Sequence, residues 1–374
     1  MDAKSPSNGA APMALRIALV SHTGLYWTRL YAEYLCGRGH EVRVVSMSRD
    51  PLEGIDVDYA GAGTPSRLKP IAYLARVPRV RSLLRSFQPD VVLATYLSSN
   101  GLVAALAGAR PLVVSAHGSD VLGTPAAKWI HSWMLRFTCG RAATVHAVSE
   151  PIADALVASG ADRGRIRCFP IGIDTRAFEP RSPGSTLENG PVVVCTRNQA
   201  DVYRNDTIVT ALAILRDEGL PLSAALLGDG PLLDERRAQA RSLGLDDLVV
   251  LPGRVTLDEV RSTLRQSHIY VSASDRDGAS SSLLEAMACG IFPVVSAIPA
   301  NTGWVEDGVT ALLFEPGDAR GLADALRRAH AGADLRERAA TVNRARVVAD
   351  GDISANMARM ERLLVEAAPA AAAR

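Results

Sequence analysis

An acidic turn rich in glycine and serine directly follows an apolar run in the C-terminal half of the chain. It begins at Asp275 and Asp277, and a predicted helix starts near Ser281. A helix N-terminus offers free N–H groups and a partial positive charge, which suit a phosphate. Glu285, about one turn further on, is placed to accept hydrogen bonds from ribose hydroxyls. The pattern predicts a nucleotide site, while a serine cap with acids complementing the helix dipole explains it equally well.

His117 follows a second apolar run, Pro111–Ala116, and precedes Gly118. A glycine lets the backbone approach a ligand closely, and a side chain at a strand end projects towards a cleft. A lone histidine is more often a structural hydrogen-bonding residue. Its position after a strand favours a functional role here.

Alternating short apolar runs and amphipathic stretches must position these residues. In the N-terminal half, helices are predicted at Arg29–Arg38 and Ile152–Ser159. Predicted strands of this half are Leu15–Ser21, Glu41–Met47, Asp90–Tyr96, Pro111–Ala116 and Thr144–Val148. Such alternation is typical of a doubly wound parallel sheet with helices on both faces.

The Pro-, Gly- and Ser-rich run at 170–190 interrupts the alternation, which then restarts. Predicted strands of the second half are Val192–Thr196, Leu222–Leu227, Leu248–Leu251, His268–Ala273, Phe292–Ser296 and Ala311–Phe314. Predicted helices are Asp206–Glu218, Leu233–Leu243, Leu257–Gln266, Ser282–Cys289, Ala319–Ala331 and Ile353–Ala367.

This organisation predicts two α/β domains that face a central cleft. Ligands of open parallel sheets bind beyond the carboxyl ends of the strands, so both loops described above belong at the cleft. The expected segments are a disordered leader at 1–13, an N-terminal domain at 14–175, a linker at 176–190, a C-terminal domain at 191–350, a helix at 351–367 and a disordered tail at 368–374.

The segment DGASSSLLEAMACGIFPVVS resembles the E-x7-E segment of family 4 retaining glycosyltransferases. The runs AVSE, PIGID, LGDGP and IPANTGWVEDGVTALLFEPGD are similar to the same family, so the resemblance covers nearly the whole chain. It implies the GT-B fold, two Rossmann-like domains with the acceptor in the N-terminal one and the nucleotide sugar in the C-terminal one. It also implies that the last helix crosses back to the N-terminal domain.

The resemblance assigns roles within this segment by position. Asp277 takes the role of the acid that contacts the donor sugar, and Glu285 takes that of the ribose ligand. Asp277 replaces the usual glutamate and Ala279 a common aromatic residue, so the sugar contact and the pocket wall differ from the family pattern. The loop residues expected at the donor are Gly278, Ala279, Ser280 and Ser281.

Further residues gain roles from the same resemblance. In a similar His-Gly-x-Asp run of the family, the histidine lies beside the donor sugar, which implies that position for His117. The family places an Arg and a Lys against the donor diphosphate, and Arg197 and Arg204 are the candidates here. The alternative is a solvated surface arginine, and the diphosphate role is clearly favoured for Arg197 but only slightly for Arg204. Gly24 stands where many relatives carry a Gly-Gly pair for phosphate approach, with Tyr26 and Trp27 beside it.

The bulk composition excludes several other classes of protein. A formal charge of +1 gives no overall attraction to nucleic acid or anionic lipid. The histidines and the five scattered cysteines form no metal-binding spacing, and thiols so arranged indicate a reducing compartment. No signal peptide or membrane-spanning run is recognisable, so we expect a cytoplasmic protein. We also expect no metal, because no metal-binding spacing is present, and no cofactor.

The sequence therefore predicts a metal-independent retaining hexosyltransferase. Its expected partners are a UDP- or GDP-sugar donor, carrying a hexose or N-acetylhexosamine, and a hydroxyl acceptor that is a small molecule, a glycan or a lipid-linked sugar. No nucleic acid and at most peripheral membrane contact are expected. Two alternatives remain open at this stage. One is a GT-B sugar-nucleotide epimerase, which would act on the donor alone, and the other is a two-domain protein that binds a sugar nucleotide without turnover.

Overall fold

The computed structural model describes residues 14–61, 73–122, 128–180 and 192–369. They form two parallel α/β domains, which confirms the predicted fold class. The predicted leader at 1–13 lies outside the described residues. So do positions 181–190 of the predicted linker and 370–374 of the predicted tail.

The N-terminal domain is built on a parallel sheet whose order is β3-β2-β1-β4-β5-β6-β7. Its inner strands are apolar and buried on both faces, as expected where helices cover a sheet on two sides. The strands are β1 Arg16–Ser21, β2 Glu41–Ser46, β3 Asp56–Tyr59, β4 Val91–Thr95, β5 Leu112–Ala116, β6 Thr144–Ala147 and β7 Ile166–Cys168. The helices are α1 Tyr26–Gly37, α2 Val77–Phe87, α3 Leu102–Ala107, α4 Lys128–Arg141 and α5 Glu150–Ala158.

The C-terminal domain is built on a parallel sheet of order β10-β9-β8-β11-β12-β13. Its strands are β8 Val193–Cys195, β9 Ala224–Leu227, β10 Val249–Gly253, β11 Ile269–Ser272, β12 Phe292–Ser296 and β13 Leu312–Phe314. Its helices are α6 Asn205–Asp217, α7 Leu233–Ser242, α8 Leu257–Arg265, α9 Ser281–Ala288, α10 Pro299–Thr302, α11 Ala319–Ala331 and α12 Ala333–Asp350. The final helix is α13 Ile353–Ala367.

Several elements were not predicted from the sequence. Strands β3 and β7 lie at the two edges of the N-terminal sheet, and the short helix α10 follows β12. The other unpredicted helices are α2, α3, α4 and α12.

Each sheet has one point at which the strand order reverses. In the N-terminal sheet β1 lies beside β4, and in the C-terminal sheet β8 lies beside β11. The loops that leave two such strands separate and open a crevice for a ligand. Arg197 follows β8 and Asp277 follows β11, so the C-terminal crevice brings together two residues that are 80 positions apart.

The chain crosses between the domains at two adjacent places. The backbone N–H of Ile173 donates to the carbonyl of Gly351, and the N–H of Ile353 donates to the carbonyl of Ile173, both at 2.9 Å. Helix α13 then packs on the N-terminal sheet beside α1. The carboxylate of Glu361, in α13, accepts hydrogen bonds from Tyr34 and from two other side chains of the N-terminal domain, Arg38 and His40.

Apolar contacts hold α13 against the N-terminal sheet. Met357, Met360 and Leu364 join one buried cluster with Ile17 and Leu19 of β1. Full burial of side chains of this kind stabilises by about 1.5–3 kcal/mol each. Within the described ranges, none of the helices is both long enough and apolar enough to cross a bilayer.

Candidate active site

The N-terminal wall of the site is formed by His117 and two aromatic side chains. His117 follows β5, and Tyr96 follows the adjacent strand β4. The Tyr96 ring stacks on His117 with 4.9 Å between centroids, and the ring of Trp27, from α1, lies 5.3 Å from His117. The imidazole is therefore packed against two aromatic rings at the carboxyl edge of the sheet.

The loop that carries His117 is fixed by Asp120. One carboxylate oxygen of Asp120 accepts from the backbone N–H groups of His117 and Gly118 at 3.1 and 2.9 Å. The other accepts from the N–H of Leu97 at 2.7 Å. Burial, followed by the charge of His146, lowers the pKa of His117 to about 3, so the ring is neutral at physiological pH.

The C-terminal wall centres on an ion pair between Arg197 and Asp277. Nη2 of Arg197 lies 2.6 Å from Oδ2 of Asp277, and Nη1 donates to the Ser282 hydroxyl at 3.0 Å. The guanidinium also lies 4.1 Å from the ring centroid of Tyr203. Burial opposes the charge on Arg197, but Asp277 and the nearby Tyr270 outweigh it and raise the arginine pKa.

Helix α9 begins directly behind this ion pair. Ser280 is its N-cap residue but makes no side-chain capping bond, so the alternative interpretation of this turn as a serine cap lacks its hydrogen bond. Ser280 itself is buried, whereas Ser281 in the first turn is exposed. The partial positive charge of the helix N-terminus therefore adds to that of Arg197 on the same side of the cleft.

The two walls enclose a cavity of about 530 Å³ between the domains. The Ser149 hydroxyl of the N-terminal domain donates to the carbonyl of Gly278 at 2.6 Å and so links the two domains. The polar and aromatic residues that line the cavity include Trp27, Tyr96, His117, Arg197, Tyr203, Asp277 and Ser281.

Most of the predicted catalytic and donor-loop residues meet at this cavity. His117, Arg197 and Asp277 all line it, together with three residues of the predicted donor loop, Gly278, Ala279 and Ser281. Ser280 is not among the lining residues because it is buried behind them. Gly24 is exposed elsewhere, where an added Cβ would lie 3.0 Å from a carboxylate oxygen of Asp50.

Glu285 does not line this cavity but lies next to its charged groups. It is half-buried in α9, in the electrostatic range of Arg197 and Arg261. Burial raises the pKa of Glu285 to about 7, although both arginines oppose the shift. The carboxyl group is thus poised to change charge near physiological pH.

Arg204 lies outside the cavity. Its guanidinium pairs with Asp206 at 3.3 Å and with Asp275 at 3.5 Å. The backbone of Arg204 is left-handed, with φ of 46°, immediately before α6. This local turn directs the chain so that Tyr203, rather than a second cation, lies against Arg197.

Among the cavity residues that the sequence patterns missed are two aromatic ones, Tyr96 and Tyr203. Tyr96 was predicted as the last residue of a strand, yet the strand ends at Thr95 and Tyr96 has a positive φ of 62°. The rule that ligands gather beyond strand ends would have identified it. For Tyr203 no such signal exists, because its role depends on the irregular turn before α6.

The Asp-x-Asp spacing at 275–277 does not produce converging carboxylates. Asp275 faces Arg204, and Asp277 faces Arg197. In the part of the chain that the structure describes, no group of three or more His, Cys, Asp or Glu side chains is arranged to hold a metal ion.

Two family models match the chain, one over each domain. The model of the glycosyl transferase 4-like domain matches residues 25–172, and that of glycosyl transferases group 1 matches residues 180–346. Together they cover most of both α/β domains and the whole cavity.

Curated relatives match at low identity. A GDP-mannose-dependent alpha-(1-6)-phosphatidylinositol monomannoside mannosyltransferase of Mycolicibacterium smegmatis is 26% identical over 329 residues, 79% of this chain and 84% of that protein. The N-acetyl-alpha-D-glucosaminyl L-malate synthase of Bacillus anthracis is 25% identical over 265 residues, 67% of this chain and 68% of that protein.

Solved structures show the same architecture. Anabaena HepE in complex with UDP and glucose superposes with a TM-score of 0.77 at 18% identity, covering 94% of this chain and 99% of that one. Sucrose-phosphate synthase from Thermosynechococcus elongatus gives 0.76 at 18% identity, covering 93% and 97%. The fold is therefore GT-B.

Proposed function

Because the chain belongs to the group 1 glycosyl transferases, we propose that it moves a hexose or N-acetylhexosamine from a nucleoside diphosphate sugar to a hydroxyl acceptor, with retention at the anomeric carbon. One observation carries the proposal. A neutral histidine of one domain and an arginine, an aspartate and a helix N-terminus of the other face a single cavity.

The charges of the C-terminal wall suit the donor diphosphate. Arg197 and the start of α9 are positive, and the diphosphate gains negative charge as the glycosidic bond breaks. In the described structure Asp277 occupies one N–H edge of the Arg197 guanidinium. A bound diphosphate competes for that edge, and the displaced carboxylate then becomes available to accept hydrogen bonds from hydroxyls of the donor sugar.

The remaining roles follow from position. Glu285 accepts hydrogen bonds from the ribose, and the backbone from Gly278 to Ser281 borders the sugar and the diphosphate. His117 contacts the donor sugar from the N-terminal domain. The base is a uracil or a guanine, and the acceptor enters along the N-terminal wall. This assignment requires no cofactor and no metal ion.

The reaction then proceeds on one face of the sugar. The anomeric carbon–oxygen bond to the diphosphate breaks, and the acceptor oxygen forms its bond from the same side. The acceptor proton passes to the departing diphosphate oxygen, so no protein nucleophile is needed. Arg197 and the helix N-terminus interact more strongly with the diphosphate in the transition state than in the ground state, which is the requirement for catalysis.

A thermal-shift screen of UDP- and GDP-sugars tests the donor assignment. A ligand at 100 times its dissociation constant stabilises the fold by about 2.7 kcal/mol. The ligand found is then incubated with candidate acceptors, nucleoside diphosphate release is measured, and the anomeric configuration of the product is compared with that of the donor by NMR. Conversion of the donor without acceptor, or binding without any turnover, would refute the transferase proposal.

A further inference from the structure

A chain of hydrogen bonds runs from His117 into the N-terminal sheet. Nε2 of His117 lies 3.1 Å from the Ser115 hydroxyl, and that hydroxyl lies 2.8 Å from Nδ1 of His146. Nε2 of His146 lies 2.8 Å from the backbone carbonyl of Phe169. Ser115 and His146 are paired directly across strands β5 and β6, so the sheet register brings them together.

The carbonyl at the end of this chain fixes the direction of every proton. The carbonyl of Phe169 can only accept, so Nε2 of His146 carries a hydrogen. A neutral His146 then has a lone pair at Nδ1, to which the Ser115 hydroxyl donates. The Ser115 oxygen in turn accepts from Nε2–H of His117. Nδ1 of His117 therefore keeps its lone pair.

Both imidazoles are held in the neutral state that this reasoning requires. Burial lowers the pKa of His146 to about 4, opposed by the hydrogen bond to Phe169, and the pKa of His117 lies still lower. The titratable groups nearest to the His117 ring and its loop are His146, Asp120 and Tyr96. Across the cavity, the charges of Arg197 and Asp277 are paired with each other.

Nδ1 of His117 is the ring nitrogen left for a substrate. It makes no hydrogen bond to any of the described residues. Unpaired polar atoms of these residues that are fully buried do not include it, so it is accessible from the cavity. Nε2, by contrast, is directed into the sheet, where the Ser115 side chain is fully buried.

We propose that Ser115 and His146 are positioning residues, which hold His117 as the Nε2–H tautomer so that Nδ1 presents a lone pair to the cavity. A substrate hydroxyl then donates its hydrogen bond to Nδ1, and the histidine orients that hydroxyl as an acceptor instead of protonating it. The tautomer follows from the fold alone. Only its contact with a substrate hydroxyl rests on the proposed transferase function.

Nitrogen chemical shifts of the unliganded protein test the tautomer directly. In protein labelled with ¹⁵N-histidine, long-range ¹H–¹⁵N spectra distinguish Nδ1–H, Nε2–H and the imidazolium, and the His117→Gln variant identifies the signals of His117. The expected result is a neutral Nε2–H ring throughout pH 5.5–8. An Nδ1–H ring, or an imidazolium at pH 7, would overturn the proposal whatever the enzyme does.

Variants test whether Ser115 imposes this state. Ser115→Ala removes the acceptor for His117, so we expect a mixture of tautomers and a turnover that is roughly 10–100-fold lower. Ser115→Thr keeps a hydroxyl, so we expect it to retain the Nε2–H signal and most of the turnover. An unchanged tautomer in Ser115→Ala excludes the positioning role. A changed tautomer with wild-type turnover excludes its use in the reaction. If no donor is turned over at all, the proposed function fails, while the spectra still decide the tautomer.

Discussion

Gly118 and Gly278 meet backbone to backbone where the two domains touch. A Cβ added to Gly118 would lie 2.7 Å from Cα of Gly278, and one added to Gly278 would overlap the carbonyl oxygen of His117. Real Cβ atoms do not approach other atoms so closely. The atoms that would clash here belong to the backbone, which cannot move aside as the end of a flexible side chain can. The described distance between the domains therefore depends on the absence of a side chain at both positions.

Gly278→Ala is expected to hold the domains apart at the cavity. Asp277 and His117 lie on opposite walls of the cavity, so moving the domains apart changes the distance between them. We therefore expect at least a tenfold loss of transfer, with the melting temperature within a few degrees of wild type. Gly37→Ala is the matched control, since an added Cβ there meets nothing within 4 Å. Wild-type turnover in Gly278→Ala would show that the contact is irrelevant to the reaction.

Arg197→Ala is expected to lower turnover with saturating donor by about 10²–10³-fold, because charge on the diphosphate grows in the transition state. The variant leaves Asp277 half-buried without its cation, so the melting temperature of the double variant with Asp277→Asn shows how much of any lost stability comes from the unpaired carboxylate. Arg204→Ala removes a neighbouring arginine that lies outside the cavity and serves as the control. Rates within a few-fold of wild type for Arg197→Ala would contradict its role.

Donor affinity is expected to depend on the charge of Glu285. Its pKa of about 7 means that the carboxyl becomes ionised, and a better acceptor for ribose hydroxyls, as the pH rises through neutrality. Calorimetry with an intact sugar nucleotide should therefore show tighter binding at pH 8 than at pH 6, and Glu285→Gln should remove the difference. Glu285→Ala should weaken binding by about 1.5–3 kcal/mol. Equal affinities in variant and wild type would disprove the ribose contact.

Stability should rise with pH between about pH 4 and 6.5, in part because of His117. The unfolded chain binds a proton at this residue with a pKa near 6.5, whereas the folded chain, with a pKa of about 3, does not. His117→Gln should reduce the slope of the unfolding free energy by up to about 1.4 kcal/mol per pH unit. His330→Gln, at an exposed site, is the control, and identical slopes in all three proteins would show that His117 is protonated when folded.

Transfer is expected to persist in excess EDTA. Asp275 and Asp277 have the spacing of a manganese-binding pair, but each carboxylate already faces an arginine. A divalent ion there would compete with Arg197 and with the dipole of α9 for the same diphosphate oxygens. A complete loss of activity on chelation that manganese restores would overturn both the metal-free reaction and the role given to Asp277.

The sequence predicted many of the longer elements but not all of them, because helix α2 was missed although it buries one apolar face. Helix α13 was predicted with the bounds that the structure shows, since its buried methionines and leucines mark one face. Helix α12 was not predicted, because its buried positions are only Ala339, Asn343 and Val347, which give no apolar stripe. Strands β3 and β7 were missed because they are short and partly exposed at the sheet edges.

The site residues, like the elements of the fold, include some that the sequence predicts and some that it does not. The residues from Asp277 to Glu285 form one continuous motif, so the sequence alone locates them. The contact between Ser115 and His146 depends on β6 lying beside β5 in one register, which no local pattern reveals. The chain also turns through a left-handed residue at Arg204, which a one-dimensional spacing cannot show either.

The position of α13 on the N-terminal sheet also affects how the protein is made. Residues 14–175 leave the ribosome first, but the face of β1 that contacts Met357 and Leu364 cannot be covered until residues near 364 have been synthesised. At about 5–20 residues per second this interval is roughly 10–40 s. Throughout it, the nascent N-terminal domain exposes apolar surface to chaperones and to other nascent chains, so its final folding step is coupled to the synthesis of α13.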